Sequence, residues 1–227
     1  MIDWHSHILP GMDDGSKNAE ETKALLQMQR EQGIKTVVAT PHFYANDESV
    51  ESFLKRREES FNKIKAEELP EILLGAEVSY YQGISRLTDL KRLCLQNSRI
   101  LLLEMPVGRW TETVIRELTE MSGNGSVKII LAHIERYIGF QKKETLQKLL
   151  ENGILFQANA DFFISLSTRR KALTLLKEGK IHFIGSDCHN VRSRPPKIGR
   201  AFETIRRKLG ETFVSQMNEY GFSILTK

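Results

Sequence analysis

Cysteine is scarce in this chain: Cys94 and Cys188 are the only two in 227 residues. Two thiols without zinc-type spacing argue against a disulfide scaffold and fit a reducing compartment. The chain does not open with a basic segment followed by an apolar stretch. No apolar run approaches the ~18 residues that span a bilayer, so a cytoplasmic protein without membrane insertion is expected. Neither sign of charge dominates, because 33 Lys and Arg face 29 Asp and Glu for a net charge of +4. A pI near 9.0 permits an acidic or phosphorylated substrate and does not call for nucleic acid. No Gly-x-Gly-x-x-Gly or Walker-type loop follows any apolar run, which leaves nucleotide-binding folds without support. Low-complexity linkers are missing as well, so residues 1–227 are expected to form a single domain.

What the chain does have is seven short apolar runs. They begin near Met1, Ile34, Ile72, Arg99, Val127, Ile154 and Ile181, and from the third onward they recur about every 27 residues. Most are continuous rather than alternating, as in parallel strands covered on both faces. Helical patterns lie between them. Ser16 is expected to cap a helix through Ala24, Leu25 and Met28 that stops at Gly33. Phe53, Leu54, Phe61 and Ile64 give the next helix its apolar face. Further helices centre on Val114, Ile115 and Leu118, on Leu146, Leu149 and Leu150, and on Leu173, Leu175 and Leu176. Several helices end in a glycine that leads straight into a strand, at Gly33, Gly153 and Gly179. This is a repeated βα unit, α/β in class, which either closes into a barrel or opens into a doubly wound sheet. Residues 195–227 read as one or two helices and a short terminal run at 222–225.

The polar residues sort to one end of these runs. The first run ends in His5 and His7, two apart and therefore on one face, with Asp13 and Asp14 in the loop beyond. The second gives His42, the third Glu77, the fourth Glu104 and the fifth His133. The sixth gives Asn159, with Asp161 beyond it. The seventh gives Asp187 and His189, again two apart. Five of the six histidines thus fall at the carboxyl ends of strands, where barrels of this kind keep their active sites. His, Asp and Glu without thiolate suit Mn, Fe or Zn in a mixed nitrogen and oxygen site. There are too many candidates for one ion, and Glu77 is the best placed to bridge two. The sixth histidine, His182, stands at the start of the last run and is expected to be structural, at the opposite end. Asp3 stands two before His5, either supporting the site or paired in the core. Glu104 carries the same two readings.

These residues resemble the PHP (polymerase and histidinol phosphatase) superfamily through Asp3-Trp4-His5-Ser6-His7 and Asp13-Asp14-Gly15. With His133-Ile134-Glu135-Arg136-Tyr137, Ser186-Asp187-Cys188-His189-Asn190 and Ser193-Arg194-Pro195-Pro196, the chain resembles the CpsB/CapC-type manganese-dependent protein-tyrosine phosphatases of bacterial capsule and exopolysaccharide operons. The likeness runs over residues 1 to 202. It implies a distorted TIM-like (β/α)7 barrel, the PHP fold, holding two or three ions, Mn2+ first, with Fe, Zn, Mg or Co as alternatives. By this likeness one ion takes His5, His7, Glu77 and Asp187, and a second shares Glu77 and adds His133. A third takes Asp14, His42 and His189. Arg136 and Arg194 would hold phosphate, with Asp187 and His189 at the reacting centre. The implied reaction is attack on phosphotyrosine by a hydroxide that the ions generate. The implied partner is a phosphotyrosyl protein, the tyrosine-rich C-terminal tail of a bacterial tyrosine autokinase. The segment Phe43-Tyr44-Ala45-Asn46-Asp47 departs from the likeness in lacking basic residues after His42.

Three rival readings stand beside this one. Cys188 and Arg194 have the Cys-x5-Arg spacing of thiolate phosphatases, but Asp187 abuts the thiol and disfavours its ionisation, and the loop has no glycine. An amidohydrolase-type metal hydrolase also opens with His-x-His, although such barrels have eight strands. Within the PHP group, histidinol phosphate or another small phosphoester is an alternative substrate.

Overall fold

The computed structural model describes residues 1–64, 69–96 and 98–225. Its strands are β1 (Ile2–Ser6), β2 (Thr36–Ala39), β3 (His42–Phe43), β4 (Glu71–Leu74), β5 (Glu77–Ser79), β6 (Ile100–Glu104), β7 (Lys128–Leu131), β8 (Leu155–Asn159) and β9 (Phe183–Gly185). All the strand pairs are parallel. The order β1-β2-β4 continues into β3-β5-β6-β7-β8-β9, so the sheet follows the order of the seven runs. It curls back on itself: Asp187 N–H donates to His5 O at 2.8 Å, His7 N–H donates to Cys188 O at 2.9 Å, and Ser6 bridges Cys188.

Two of the seven runs are each broken in two. Thr40-Pro41 divides β2 from β3, because Pro41 has no N–H to give the ladder. Gly75-Ala76 divides β4 from β5, and the freed edge is taken by the next loop, where Gln96 N–H donates to Leu74 O at 2.7 Å. These breaks are the distortion of the barrel. They turn the upper halves of both runs, with His42 and Glu77, toward the axis.

The helices are α1 (Ala19–Glu31), α2 (Val50–Phe61), α3 (Glu112–Gly123), α4 (Lys143–Glu151), α5 (Ala160–Ile164), α6 (Arg169–Lys177), α7 (Ile198–Leu209) and α8 (Glu211–Leu225). Several expectations need correction. Asn18, not Ser16, caps α1 by accepting from Glu21 N–H at 2.9 Å. Ser16 is buried instead, and its hydroxyl meets Thr22 at 2.8 Å. Helix α2 stops at Phe61, short of Ile64. Among the described residues between β5 and β6 there are two 3-10 turns, Ile84–Arg86 and Leu90–Leu93, where the repeated βα unit implies an α-helix. Residues 222–225 are the last turn of α8 rather than a separate run.

Apolar residues form two layers. The larger lies between sheet and helices, with Leu25, Leu26, Phe53, Leu118 and Phe163 fully buried. The smaller fills the barrel at the amino ends of the strands, with Ile2, Trp4, Ile100, Ile130, Leu155 and Phe183. Ile224 of α8 joins that layer, and Tyr220 stacks on Phe183 with centroids 5.8 Å apart. The barrel is therefore plugged below and open for chemistry above.

A bulge in β1 decides what faces where. Pairing with β2 shifts register between Asp3 and Ser6, which breaks the two-residue alternation. Asp3 turns outward to accept from Gln29 of α1 at 2.6 Å, while His5 turns into the barrel. Asp3 therefore does not share the face of His5, although it stands two residues before it.

Candidate metal centre

Glu77, on β5 and buried, is the hub. Its Oε2 lies 3.1 Å from His5 Nε2, 3.2 Å from His7 Nε2 and 3.2 Å from His42 Nδ1, and its Oε1 lies 2.7 Å from His133 Nε2. Asp187 Oδ1 sits on one side, 3.5 Å from His7 Nε2 and 3.7 Å from His189 Nδ1. On the other side Asp14 Oδ1 is 3.2 Å from His189 Nε2 and 3.9 Å from His42 Nε2. Glu104, ambiguous from sequence, stands at the rim, with Oε1 3.4 Å from His133 Nε2.

Four overlapping donor groups result among the described residues: His7, Asp14, His42 and His189; His5, His7 and Asp187; His5, Glu77 and His133; and His42, Glu77 and Glu104. Two buried atoms, His42 Nδ1 and His189 Nε2, have no hydrogen-bond partner. Each lies near a carboxylate oxygen without aligning on it. Orphaned lone pairs of this kind, five imidazoles and no thiolate fit divalent transition ions.

The charge state is consistent with that fit. Burial alone would lower His7, yet hydrogen bonds and charge from Asp13 and Glu77 outweigh it and hold His7 up to about 10. Burial likewise opposes His133, but Glu104 and Glu77 raise it to about 9. Glu77 is buried too, and His5, His133 and His7 hold it well below the usual carboxylate range. Asp187 is held down to about 2 against its burial, by His5, His7 and Arg194. Burial, with the charges of His7 and Arg194, pushes His189 down to about 4. Protons on imidazole thus balance the carboxylates, the role a divalent cation takes over when bound.

Residues behind the rim aim these rings. Asp13 Oδ2 lies 2.7 Å from His7 Nδ1 and accepts from His42 N–H at 2.9 Å. It thereby turns His7 Nε2 to the centre, the carboxylate–histidine arrangement typical of metal sites. Gly15 permits this loop, since a Cβ there would stand 2.2 Å from His7 O. Tyr137 Oη is 3.1 Å from His133 Nδ1 and accepts from Met105 N–H. His133, at φ 32°, and Asp187, at φ 51°, are the non-glycine residues with left-handed backbone among those described. Such strain costs about 1–3 kcal/mol per residue and persists where surroundings hold it.

Two arginines close the outer side. Arg136 Nη2 lies 2.7 Å from Asp187 Oδ2, and Arg194 Nη2 lies 2.9 Å from Asp187 Oδ1. Both line a cavity of about 480 Å³ together with Asn159, Ser165, Ser193 and Lys197. Asp161 stands off from the centre and pairs with Lys197 at 3.1 Å. Cys188 is fully buried, and burial together with Asp3 and Asp187 pushes its thiol far up. A protonated, enclosed thiol is no nucleophile. Asp3 is raised to about 6 by burial and accepts from Ser186 N–H at 2.7 Å.

The sequence reading gave no role to Asp13, Gln157 or Tyr137. Gln157 stands two before Asn159, the spacing of His5-x-His7 and Asp187-x-His189. That repeated spacing was the available signal.

A parallel barrel that gathers imidazoles and carboxylates at the carboxyl ends of its strands is the architecture of a metal-dependent hydrolase. The chain belongs to the family of capsular polysaccharide synthesis proteins CpsB/CapC, which matches residues 1–220. It is 33% identical to the tyrosine-protein phosphatase CpsB of Streptococcus pneumoniae, covering 92% of this chain and 91% of that protein. It is 28% identical to the tyrosine-protein phosphatase YwqE of Bacillus subtilis (strain 168), covering 96% of this chain and 89% of that one. Among solved structures it resembles a chain from the crystal structures of YwqE and of S. pneumoniae CpsB, described as unique metal-dependent tyrosine phosphatases. The TM-score is 0.79 at 25% identity, with 99% of this chain and 94% of that chain covered. An organophosphorus hydrolase mutant, 14% identical with a TM-score of 0.52 over 95% of this chain and 89% of its own, shares the fold alone.

Proposed function

We propose that residues 1–227 act as one metal-dependent protein-tyrosine phosphatase domain in the cytoplasm. The observation that carries this reading is the convergence of four imidazoles on Glu77, with Arg136 and Arg194 reaching the same rim through Asp187. His5, His7, Glu77 and Asp187 would hold one ion. Glu77 and His133 would serve a second, and Asp14, His42 and His189 a third. Mn2+ is the ion we propose, on the likeness to the manganese-dependent phosphatases, and Fe, Zn, Mg or Co would also fit this donor set. When bound, such ions lower the pKa of water enough to supply hydroxide at neutral pH.

The chain's own groups do the rest. Arg136 and Arg194 are 39% and 41% exposed and face the cavity beside Asp187. Their planar forks each pair with two phosphoryl oxygens and orient the phosphorus for in-line attack. Asp187 holds both forks in place before substrate arrives. A phenolate leaving group, with a pKa near ~10, departs with little help from an acid, which favours phosphotyrosine over phosphoserine. The protein partner we propose is the C-terminal tyrosine cluster of a bacterial tyrosine kinase.

The test compares phosphotyrosyl peptide, phosphoseryl peptide and histidinol phosphate on one Mn2+-loaded preparation. The expected order of kcat/KM puts the phosphotyrosyl peptide first. A preference for histidinol phosphate would overturn the substrate while leaving the metal chemistry in place.

A further inference from the structure

Every barrel position ends in a proposed ligand or a rim carboxylate except the sixth. Strand β8 instead ends in two primary amides, Gln157 and Asn159, two apart and on one face. Gln157 is fully buried. Its Oε1 accepts from His133 N–H at 2.7 Å and lies 3.3 Å from His5 Nδ1. Its Nε2 donates to Asn159 Oδ1 at 3.0 Å, and Asn159 Nδ2 donates to Asp187 Oδ2 at 2.8 Å.

The polarity of this chain of bonds runs one way only. A backbone N–H can only donate, so the oxygen of Gln157 must face His133. Its NH2 must then face Asn159, whose oxygen accepts and whose NH2 is left for Asp187. His5 Nδ1 meets an acceptor and therefore carries a proton, which leaves Nε2, beside Glu77, as the ring nitrogen free to take an ion. The two ends of the chain of bonds also grip His133 and Asp187, the two non-glycine residues with left-handed backbone among those described. Gly185 makes the room, because a Cβ there would stand 2.5 Å from His5 Cβ and 2.7 Å from Gln157 Nε2.

We propose that Gln157 and Asn159 are positioning residues, an amide relay that presets His5, His133 and Asp187 in ligating geometry before any ion binds. The relay fixes one tautomer and one carboxylate orientation, and it holds two strained backbones. Strand β8 thus contributes to the centre without contributing a ligand. This inference rests on the ligand assignment proposed above.

The experiment measures Mn2+ affinity by competition with a metal indicator dye, alongside thermal melting of the ion-free forms. The variants are Gln157→Leu, Gln157→Glu and Asn159→Ala. Removing an outer-shell partner of a metal ligand costs roughly 10–100-fold in metal affinity, and that loss is expected for Gln157→Leu and Asn159→Ala. Gln157→Glu still accepts from His133 and His5 but cannot donate to Asn159, so its affinity should fall between Gln157→Leu and the parent. A merely structural glutamine would move the melting temperature and leave the affinity alone. Folded Gln157→Leu and Asn159→Ala proteins that bind Mn2+ within about twofold of the parent would overturn the relay. If Gln157→Leu does not fold, Asn159→Ala, at a half-buried position, decides by itself. A parent protein that binds no Mn2+ would sink the ligand assignment and the relay together, whereas unaffected variants sink the relay alone.

Discussion

At one end of the barrel, five imidazoles crowd around carboxylates. At the other, His182 accepts a single hydrogen bond from Phe156 N–H at 3.1 Å and lies beside the rings of Phe156 and Phe183. Burial pushes His182 down to about 4, and nearby Lys128 adds to that. At the upper end His7 is fully buried, more so than His182, yet Asp13 and Glu77 hold it up to about 10. The residue type is the same and the environments are opposite. What differs is the position along a strand: carboxyl ends open onto loops that bring Asp13, Asp14 and Arg136, while amino ends meet α8 and its apolar side chains. Position on the barrel, more than the histidine itself, decides between a residue of the candidate centre and a packing residue.

Removing the hub should separate the two ends most sharply. Glu77→Gln takes the charge from a carboxylate that four imidazoles face. Its loss of phosphatase activity should exceed the roughly 10–100-fold typical of an outer-shell change. Steady-state kinetics with excess Mn2+ measures this, and activity near the parent's would remove Glu77 from the centre.

Asp13→Asn tests the support behind the rim. His7 keeps its place just after β1 but loses the partner that turns it, so Mn2+ affinity should fall by about 10–100-fold while the fold persists. Metal titration with circular dichroism on the same samples reads both quantities.

Arg136→Lys and Arg194→Lys retain charge and lose the fork. A charge-assisted hydrogen bond contributes about 1.5–3 kcal/mol, so KM for a phosphotyrosyl peptide should rise by about tenfold or more in each variant. Metal content should not change. A variant that loses its ions instead would assign that arginine to the metal shell rather than to phosphate.

The smallest effect belongs to His182→Gln, which should leave activity untouched. Its consequence is a pH dependence. The folded imidazole titrates near 4 and the unfolded one near 6.5. As pH falls below 6.5 the unfolded chain takes up a proton that the folded protein refuses, so stability drops with acid until about pH 4. The slope is at most about 1.4 kcal/mol per pH unit. Thermal midpoints at pH 7 and pH 5 should therefore differ less in His182→Gln than in the parent. An unchanged difference would show that His182 does not set the acid sensitivity.

Much of this contrast was legible in the sequence. Continuous apolar runs mark strands covered on both faces, and polar residues at their carboxyl ends stand out against them. His5-x-His7 and Asp187-x-His189 could be read because strand geometry ties a spacing of two to one face. The breaks at Thr40-Pro41 and Gly75-Ala76 left no mark in run length, because the chain resumes its direction after each. The bulge in β1 was equally hidden, since backbone register depends on a partner strand far along the chain. Gln157 escaped notice because a lone glutamine carries no charge or metal preference. Its role exists only once His5, His133 and Asn159 surround it.

The central claim is that the upper end works through ions while the lower end only packs. The most direct measurement is phosphotyrosyl-peptide hydrolysis before and after complete removal of metal by a chelator, followed by stepwise return of Mn2+. We predict that activity falls to background on removal and returns in proportion to bound Mn2+, with the circular dichroism of the barrel preserved throughout. A metal-free protein that still hydrolyses the peptide at the original rate would contradict the account.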